Sequence, residues 1–444
     1  MGGAIAAGHP LTAQAGADVL AAGGNAVDAC VAAAFVAAVA EGPLTGPAGG
    51  GFLMVAEPGG DAVVLDCFFA VPERPLGEME EAIVDFADAG TQVFHVGEGS
   101  VAVPGLVAGL EEGHRRFGSR PWAELVEPAI ALSVEGVVRD EPRAFLHRIL
   151  SGILLRTEAG ARIYGDPERV VTEGFAPTLR AIGEEGAAAV GDLLPELAED
   201  LAAYRVVAHA PLESEILGRR VLVTPVPSRG GEIVLEILAG LEALEPWSLH
   251  GEARAVALAY ERSWPGSLSG TTHISVVDGE GRAAALSSTL GSGSGLFRGG
   301  TQLNNMLGEL DVIGAAPRAA GERLPSMMTP TLALDGDRPG LVLGSAGSVR
   351  LAGAIAQVVW RILQGRDAAG AIEAPRLHAE GSTLHLEGGW PRADAASLPD
   401  SWDVVRWEGL NLFFGGVQAV ARRADGTLEA AGDPRRGGAG MVVP

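Results

Sequence analysis

Thr271, Thr272 and His273 open a strand-like run, TTHISVVD, directly after a stretch rich in breakers, SWPGSLSG at 263–270. Threonine is a common strand residue, so a structural cross-strand pair is the plain account of such a run. A different chemistry opens if the peptide bond between Gly270 and Thr271 is cut. A threonine at a new N-terminus carries a nucleophilic hydroxyl and, on the same residue, an α-amine of pKa about 7.7–8.0 that can act as base.

Residues 271–290 read as a hairpin turning at Asp278-Gly279-Glu280-Gly281. A three-residue loop, 279–281, pairs Asp278 with Arg282 and sets Thr271 opposite Thr289. A loop of two or four residues sets Thr271 opposite Ser288 instead. Gly281 suits the left-handed position of a three-residue loop and favours Thr289, and either register places a hydroxyl beside the start of the strand. A second feature is LVLGSAGSVRLAGAIAQVVWRILQG, in which a strand at 341–343 runs through Gly344-Ser345-Ala346-Gly347-Ser348 into a helix from about Val349. Backbone N–H groups of Gly347 and Ser348 at that helix start would suit a developing oxyanion. No Gly-Lys-Ser/Thr follows, so this is not a phosphate loop.

Other catalytic patterns are weak. Gly344-Ser345-Ala346-Gly347 is one residue short of Gly-x-Ser-x-Gly, and Gly291-Ser292-Gly293-Ser294-Gly295 opens no helix. The nine histidines offer no metal pair at helical spacing. His273 serves equally well as a structural hydrogen-bonder.

The elements that must carry these residues come next. HPLTAQAGADVLAAGG predicts a helix closed by Gly23-Gly24, and Asn25 caps an alanine-rich helix to about Ala40. GPLTGPAGGGFLMVAEPGGDAVVLD predicts a glycine-rich approach to a hairpin with strands at Phe52–Val55 and Ala62–Leu65. Helical patterns dominate from Pro104 to Glu245, interrupted by one short strand at 219–225. Strands then follow in quick succession (THISVVD, RAAALSSTL, MTPTLALD, PGLVLG), a pattern of α+β or layered αββα type rather than a βαβ series.

Bulk properties narrow the field. The chain has 444 residues, is 47% hydrophobic, and carries a formal net charge of −24, which leaves nucleic acid and anionic membrane without an electrostatic footprint. All 32 basic residues are arginine, which removes lysine nucleophiles and Schiff bases. Two cysteines, Cys30 and Cys67, leave one disulfide open but exclude a disulfide framework. The N-terminus lacks a basic n-region and a long apolar h-region, and Ala29–Ala40 is too short to span a bilayer, so a cytoplasmic location is expected.

Long colinear segments resemble the γ-glutamyltranspeptidases, N-terminal-nucleophile hydrolases that cut themselves into two subunits. They include GGNAVDACVAAAF, GPAGGGFLM, VAVPGLVAGLEEGHRRFGSRPWAELVEPAIAL, PVPSRGGEIVLEIL, TTHISVVDGEG, LNN, MMTPTL, GSAGS and FGGVQAVARRADG with DPRR. The resemblance implies an α+β fold, a four-layer αββα sandwich, with cleavage between Gly270 and Thr271. Fragments 1–270 and 271–444 would form one compact domain. It also implies Thr271 as nucleophile, Thr289 as the hydroxyl that bonds to it and assists processing, Gly347 and Ser348 as the oxyanion turn, and Ser326 as a serine contacting a substrate carboxylate.

Several positions depart from that pattern. Phe68 stands where the family has the arginine that clamps the γ-glutamyl carboxylate, Gly291 replaces an asparagine, and Met327 replaces the second serine. On the α-amino side, Met306 and Glu309 replace Glu/Gln and Asp. Losing a bidentate guanidinium is not a neutral exchange. The expectation is an N-terminal-threonine amidohydrolase working through an acyl-enzyme, with Phe68, Met306 and Met327 as an apolar wall and Glu309 available to read a cation. A true γ-glutamyl hydrolase or transferase, recruiting Arg298 or Arg350, is one rival. An unprocessed binding protein is the other. The expected partners are a small-molecule amide and the two fragments of the chain itself, with homo-oligomerisation left open and no metal or organic cofactor implied.

Overall fold

The computed structural model describes residues 2–85, 91–263, 270–314, 316–347 and 350–444. The elements that frame the candidate site start with β1 (Gly3–Ala7), α1 (Pro10–Ala21), α2 (Ala26–Ala40), β2 (Gly50–Ala56) and β3 (Ala62–Cys67). They continue with α3 (Leu106–Phe117), α4 (Trp122–Glu135), β4 (Val207–His209), β5 (Leu212–Ile216), β6 (Arg219–Val223), α5 (Gly230–Glu242) and α6 (Leu249–Ser263). The remainder holds β7 (Gly270–Asp278), β8 (Ala283–Gly291), β9 (Thr331–Asp335), β10 (Arg338–Ala346), α7 (Leu351–Leu363), β11 (Gly416–Arg422), β12 (Leu428–Gly432) and β13 (Ala439–Val443).

Two antiparallel sheets form the middle layers. One runs β13-β1-β7-β8-β2-β3-β4, the other β12-β11-β10-β9-β6-β5. Residues of β1, β2, β7 and β8 share one apolar cluster with α1 to α4, and the second sheet shares another with α5 to α7. Strand β7 packs across the sheet gap on β10 and β11. This is the αββα arrangement, with β7 near the middle of its sheet.

The local reasons are readable. Asn25 accepts from the N–H groups of Val27 and Asp28, and Asp28 bonds back to the Asn25 N–H, a complete capping box. Asp28 also accepts from Ser119 N at 2.9 Å, tying α2 to the link between α3 and α4. Helix α2 is buried throughout, which its small side chains allow. Cys30 and Cys67 are both buried free thiols, so the disulfide left open by the sequence does not form.

Two strands leave little trace in the sequence. β1, GAIAA, lies between β13 and β7 although alanine and glycine are poor strand formers. A Cβ at Gly3 would stand 2.7 Å from the Val277 carbonyl oxygen, so tight packing selects the small residues. β5, LESEI, is an edge strand whose glutamates face solvent. Among the described residues no helix is long and apolar enough to cross a membrane.

Candidate active site

The hairpin β7–β8 follows the three-residue-loop register. Thr272 pairs with Ser288, His273 with Ser287 and Val277 with Ala283, and the Asp278 N–H reaches the Arg282 carbonyl at 3.0 Å. Gly281 has φ +92°, the conformation that the loop requires. Asp278 also accepts from Ala26 N at 3.0 Å, which pins the turn to the start of α2.

Regular pairing stops where the chemistry is expected. Gly270 pairs with Gly291, one step out of register with Thr272 and Ser288, so Thr271 sits in a bulge facing Thr289 and Leu290. Bulges re-aim side chains. The Thr289 hydroxyl donates to the Gly270 carbonyl oxygen, which belongs to the peptide bond preceding Thr271, and accepts from Gly291 N at 2.8 Å. That N–H fixes which way the hydroxyl proton points. A Cβ at Gly270 would stand 2.7 Å from the Gly291 carbonyl oxygen, so only glycine fits before Thr271. Thr271 and Thr289 are both buried.

Residues at alternate positions of β7 face the second sheet, and His273 shows what that face demands. Its ring lies against Gly344 of β10, where any Cβ would collide with it. Nδ1 meets Ser287 Oγ at 2.8 Å and Nε2 meets Ser275 Oγ at 2.9 Å, while Ser275 Oγ donates to the Gln418 carbonyl at 3.1 Å. Because Ser275 spends its proton on that carbonyl, Nε2 carries the ring hydrogen and Ser287 donates to Nδ1. Burial lowers the imidazole pKa to about 3, so the ring is a neutral strut between the sheets.

A cavity of about 50 Å³ opens beside Thr271, lined among others by Glu41, Arg143, Thr272, Ala346, Gln418 and Arg436. Ala346 ends β10 and is followed by Gly347, so the candidate oxyanion turn adjoins the cavity beside Thr271. Gly347 has φ +131°, and a Cβ there would stand 2.8 Å from Gly415 Cα. Ser348, expected to supply the second N–H, lies outside the described residues. Ser345 is not an exposed nucleophile: it is buried in the strand and accepts from Gly416 N at 3.2 Å.

Glu41 escaped sequence reading. Its carboxylate accepts from Thr272 Oγ1 at 2.6 Å and Thr12 Oγ1 at 2.8 Å, and burial raises its pKa against the pull of those hydroxyls and Arg143. Nothing in a lone glutamate after an alanine-rich helix signals this contact. Arg143, in the helix Glu141–Ile149 that Asp140 caps, donates to the Gly8 carbonyl at 3.0 Å and pairs with Asp140, which sets that helix along one side of the cavity.

The residues expected to read the substrate are placed differently. Phe68, Met306 and Met327 are buried in the same large apolar cluster, and none of them lines the cavity beside Thr271. Phe68 stacks on Phe52 with centroids 5.4 Å apart and meets Phe69 edge-on at 4.9 Å. Its neighbour Asp66 pairs with Arg323 at 3.2 Å. Ser326 is buried, and its hydroxyl accepts from Met328 N at 3.1 Å.

Glu309 is buried beside Gly291 and accepts from Ser292 N and Ser292 Oγ, both at 2.8 Å. Gly291, φ +69°, has no room for a side chain because Asn305 Oδ1 and Glu309 fill the space a Cβ would take. Asn304 and Asn305 of the LNN segment hold neighbouring loops, Asn304 through Ala48 and Ala102 and Asn305 through Ser292 and Gly293. The arginines suggested as replacements are engaged elsewhere: Arg298 with Glu196 at 2.7 Å, Arg350 with the Phe413 carbonyl at 2.6 Å. Among the described residues no group of three or more His, Cys, Asp or Glu could hold a metal ion.

The family model described as Gamma-glutamyltranspeptidase matches residues 12–193 and 258–443. The chain is 29% identical to the Acylase ACY 1 proenzyme of Pseudomonas sp. strain SE83, covering 99% of this chain and 93% of that protein. It is 27% identical to the Glutathione hydrolase proenzyme of Escherichia coli K12, covering 98% and 90%. The solved cephalosporin acylase from Bacillus halodurans superposes with a TM-score of 0.82 at 22% identity over 99% of this chain and 95% of that one, a likeness of fold. The chain belongs to the γ-glutamyltranspeptidase family.

Proposed function

We propose that the protein cleaves itself before Thr271 and then hydrolyses a small-molecule amide through an acyl-enzyme on that threonine. Its broader class, an amide hydrolase or acyltransferase, follows from its family. The observation carrying the finer reading is the Thr289 hydroxyl bonded to the Gly270 carbonyl at a bulge centred on Thr271.

In the precursor, that bond withdraws electron density from the scissile carbonyl. Thr271 Oγ attacks the Gly270 carbonyl carbon, the C–N bond breaks as the nitrogen takes a proton, and water hydrolyses the resulting ester. Gly270 leaves as a carboxylate, and Thr271 keeps both hydroxyl and free amine. During turnover the amine takes the hydroxyl proton, Oγ attacks the substrate amide, and the departing amine is protonated. Water then releases the acid. The N–H groups of the Gly347 turn stabilise the oxyanion.

Position 68 supplies no charge, which separates this site from a γ-glutamyl clamp of the usual kind. The test is a panel of γ-glutamyl and non-glutamyl acyl anilides on wild type and Thr271→Ala. The expected result is two fragments and turnover of a non-glutamyl amide in wild type only. Equal turnover by Thr271→Ala would remove the mechanism, and strong preference for the γ-glutamyl anilide would restore the rival substrate.

A further inference from the structure

A second cavity, of about 570 Å³, opens beside the helices of the second sheet and shares no lining residue with the one beside Thr271. It lies between the start of α6, the end of α7 and the segments around residues 375 and 390. Three of the chain's seven tryptophans, Trp247, Trp360 and Trp390, stand in its wall. Aromatic walls with a few convergent polar groups, at this volume, are the usual make-up of a small-molecule site.

The indoles are fixed from behind. Trp247 Nε1 donates to Glu252 at 3.1 Å and Trp390 Nε1 to the Arg376 carbonyl at 3.2 Å, while Trp360 is buried in α7. With those two N–H groups committed, Trp247, 42% exposed, and half-buried Trp390 offer a ligand their ring surfaces.

Arg361 is the polar counterpart. Its side chain is 13% exposed and lines the cavity, with the guanidinium 6.0 Å from the centre of the Trp390 ring. Nη2 donates to the Pro375 carbonyl at 2.7 Å, and buried Nη1 has no hydrogen-bond partner. Glu252 is a poor counter-ion: Oε1 stands 3.9 Å from Nη2, beyond hydrogen-bond reach, and burial raises its pKa. Arg366 and Asp394, also in the lining, are opposite in charge. Burial lowers the Arg361 pKa to about 10, with Arg376, Arg366 and Arg435 adding to the effect, so the group stays charged at neutral pH. A buried guanidinium N–H without an acceptor is costly, and an anion entering the cavity supplies one.

We propose that this cavity is a second ligand site, for a small aromatic carboxylate whose ring lies against Trp247 and Trp390 and whose carboxylate accepts from Arg361. A cation meets the wrong charge at Arg361, and a neutral ring leaves Nη1 unanswered. The site does not depend on cleavage before Thr271.

Calorimetric titration of the purified protein tests it with three probes: 2-naphthoate, 2-naphthalenemethanol, which keeps the ring and loses the charge, and acetate, which keeps the charge and loses the ring. 2-Naphthoate should bind at one site, and each of the others at least about 10-fold more weakly. Arg361→Met should weaken 2-naphthoate by roughly 10- to 100-fold, and Trp247→Ala, at the exposed rim, by about 2- to 10-fold. Thr271→Ala and Arg436→Met, both altered in the other cavity, should bind it as wild type does. The melting temperature of wild type needs no variant: 2-naphthoate should raise it and 2-naphthalenemethanol should not. Failure of wild type to bind 2-naphthoate, equal binding of the alcohol, or binding lost in Arg436→Met and retained in Arg361→Met would overturn the inference.

Discussion

Two neighbourhoods of the chain match the family to different degrees. At the bulge, the polar atoms hold defined positions. Thr289 bridges the Gly270 carbonyl and the Gly291 N–H, and His273 struts the sheets between two serines. At the positions where family members hold the substrate, Phe68, Met306 and Met327 belong to the apolar core. Bond-making needs a few groups in fixed positions, whereas apolar packing needs only volume and shape. The contrast teaches that the two neighbourhoods answer to different constraints, polar geometry at the start of β7 and apolar packing around positions 68, 306 and 327.

The largest expected effect strikes the first neighbourhood. Thr289→Val keeps the shape but removes the donor to the scissile carbonyl, and should slow appearance of the two fragments by about 100-fold or more, read by denaturing gel over time. Normal processing in that variant would deprive the bulge of its role. The second neighbourhood is sharpened by Phe68→Arg. There the restored arginine finds stacked phenylalanines and Arg323 instead of a substrate carboxylate. It should destabilise the fold by about 3–5 kcal/mol in thermal or denaturant unfolding and gain no γ-glutamyl activity.

Three buried histidines predict a pH dependence. His9, His147 and His273 are buried and each falls to about 3, chiefly by desolvation, against 6.5 when unfolded. Between those values the unfolded chain binds the extra protons. Stability from these groups is therefore full above about pH 6.5 and declines as pH drops toward 3, by up to about 1.4 kcal/mol per unit for each histidine. Urea midpoints across that range should show the slope, and His273→Gln should make it shallower. The smallest effect belongs to Gly291→Asn, which reinstates the family residue where Asn305 and Glu309 have filled its space. A loss of about 1–3 kcal/mol is expected, and unchanged stability would mean that the loop repacks easily.

Much of the hairpin's geometry was legible because it depends on local rules. Gly281 and the count of residues between Asp278 and Arg282 determine the hairpin register, and register alone brings Thr289 to the start of β7. The bulge at Thr271 left no local trace, since it arises from how Gly270 meets Gly291. β1 was hidden because its glycine and alanines answer to packing on β7 rather than to strand propensity. Glu41, Arg143, Gln418 and Arg436 reach the cavity from four separate parts of the chain, and no spacing relates them. Phe68 was recognisable as a departure, but its burial between Phe52 and Phe69 required the fold.

The central claim is that one peptide bond is severed to make the catalytic amine. N-terminal sequencing and intact mass of freshly purified, active protein test it most directly. Two chains are predicted, one of them beginning Thr271-Thr272-His273. Activity in material containing only the uncut chain, or a new N-terminus at any other residue, would contradict it.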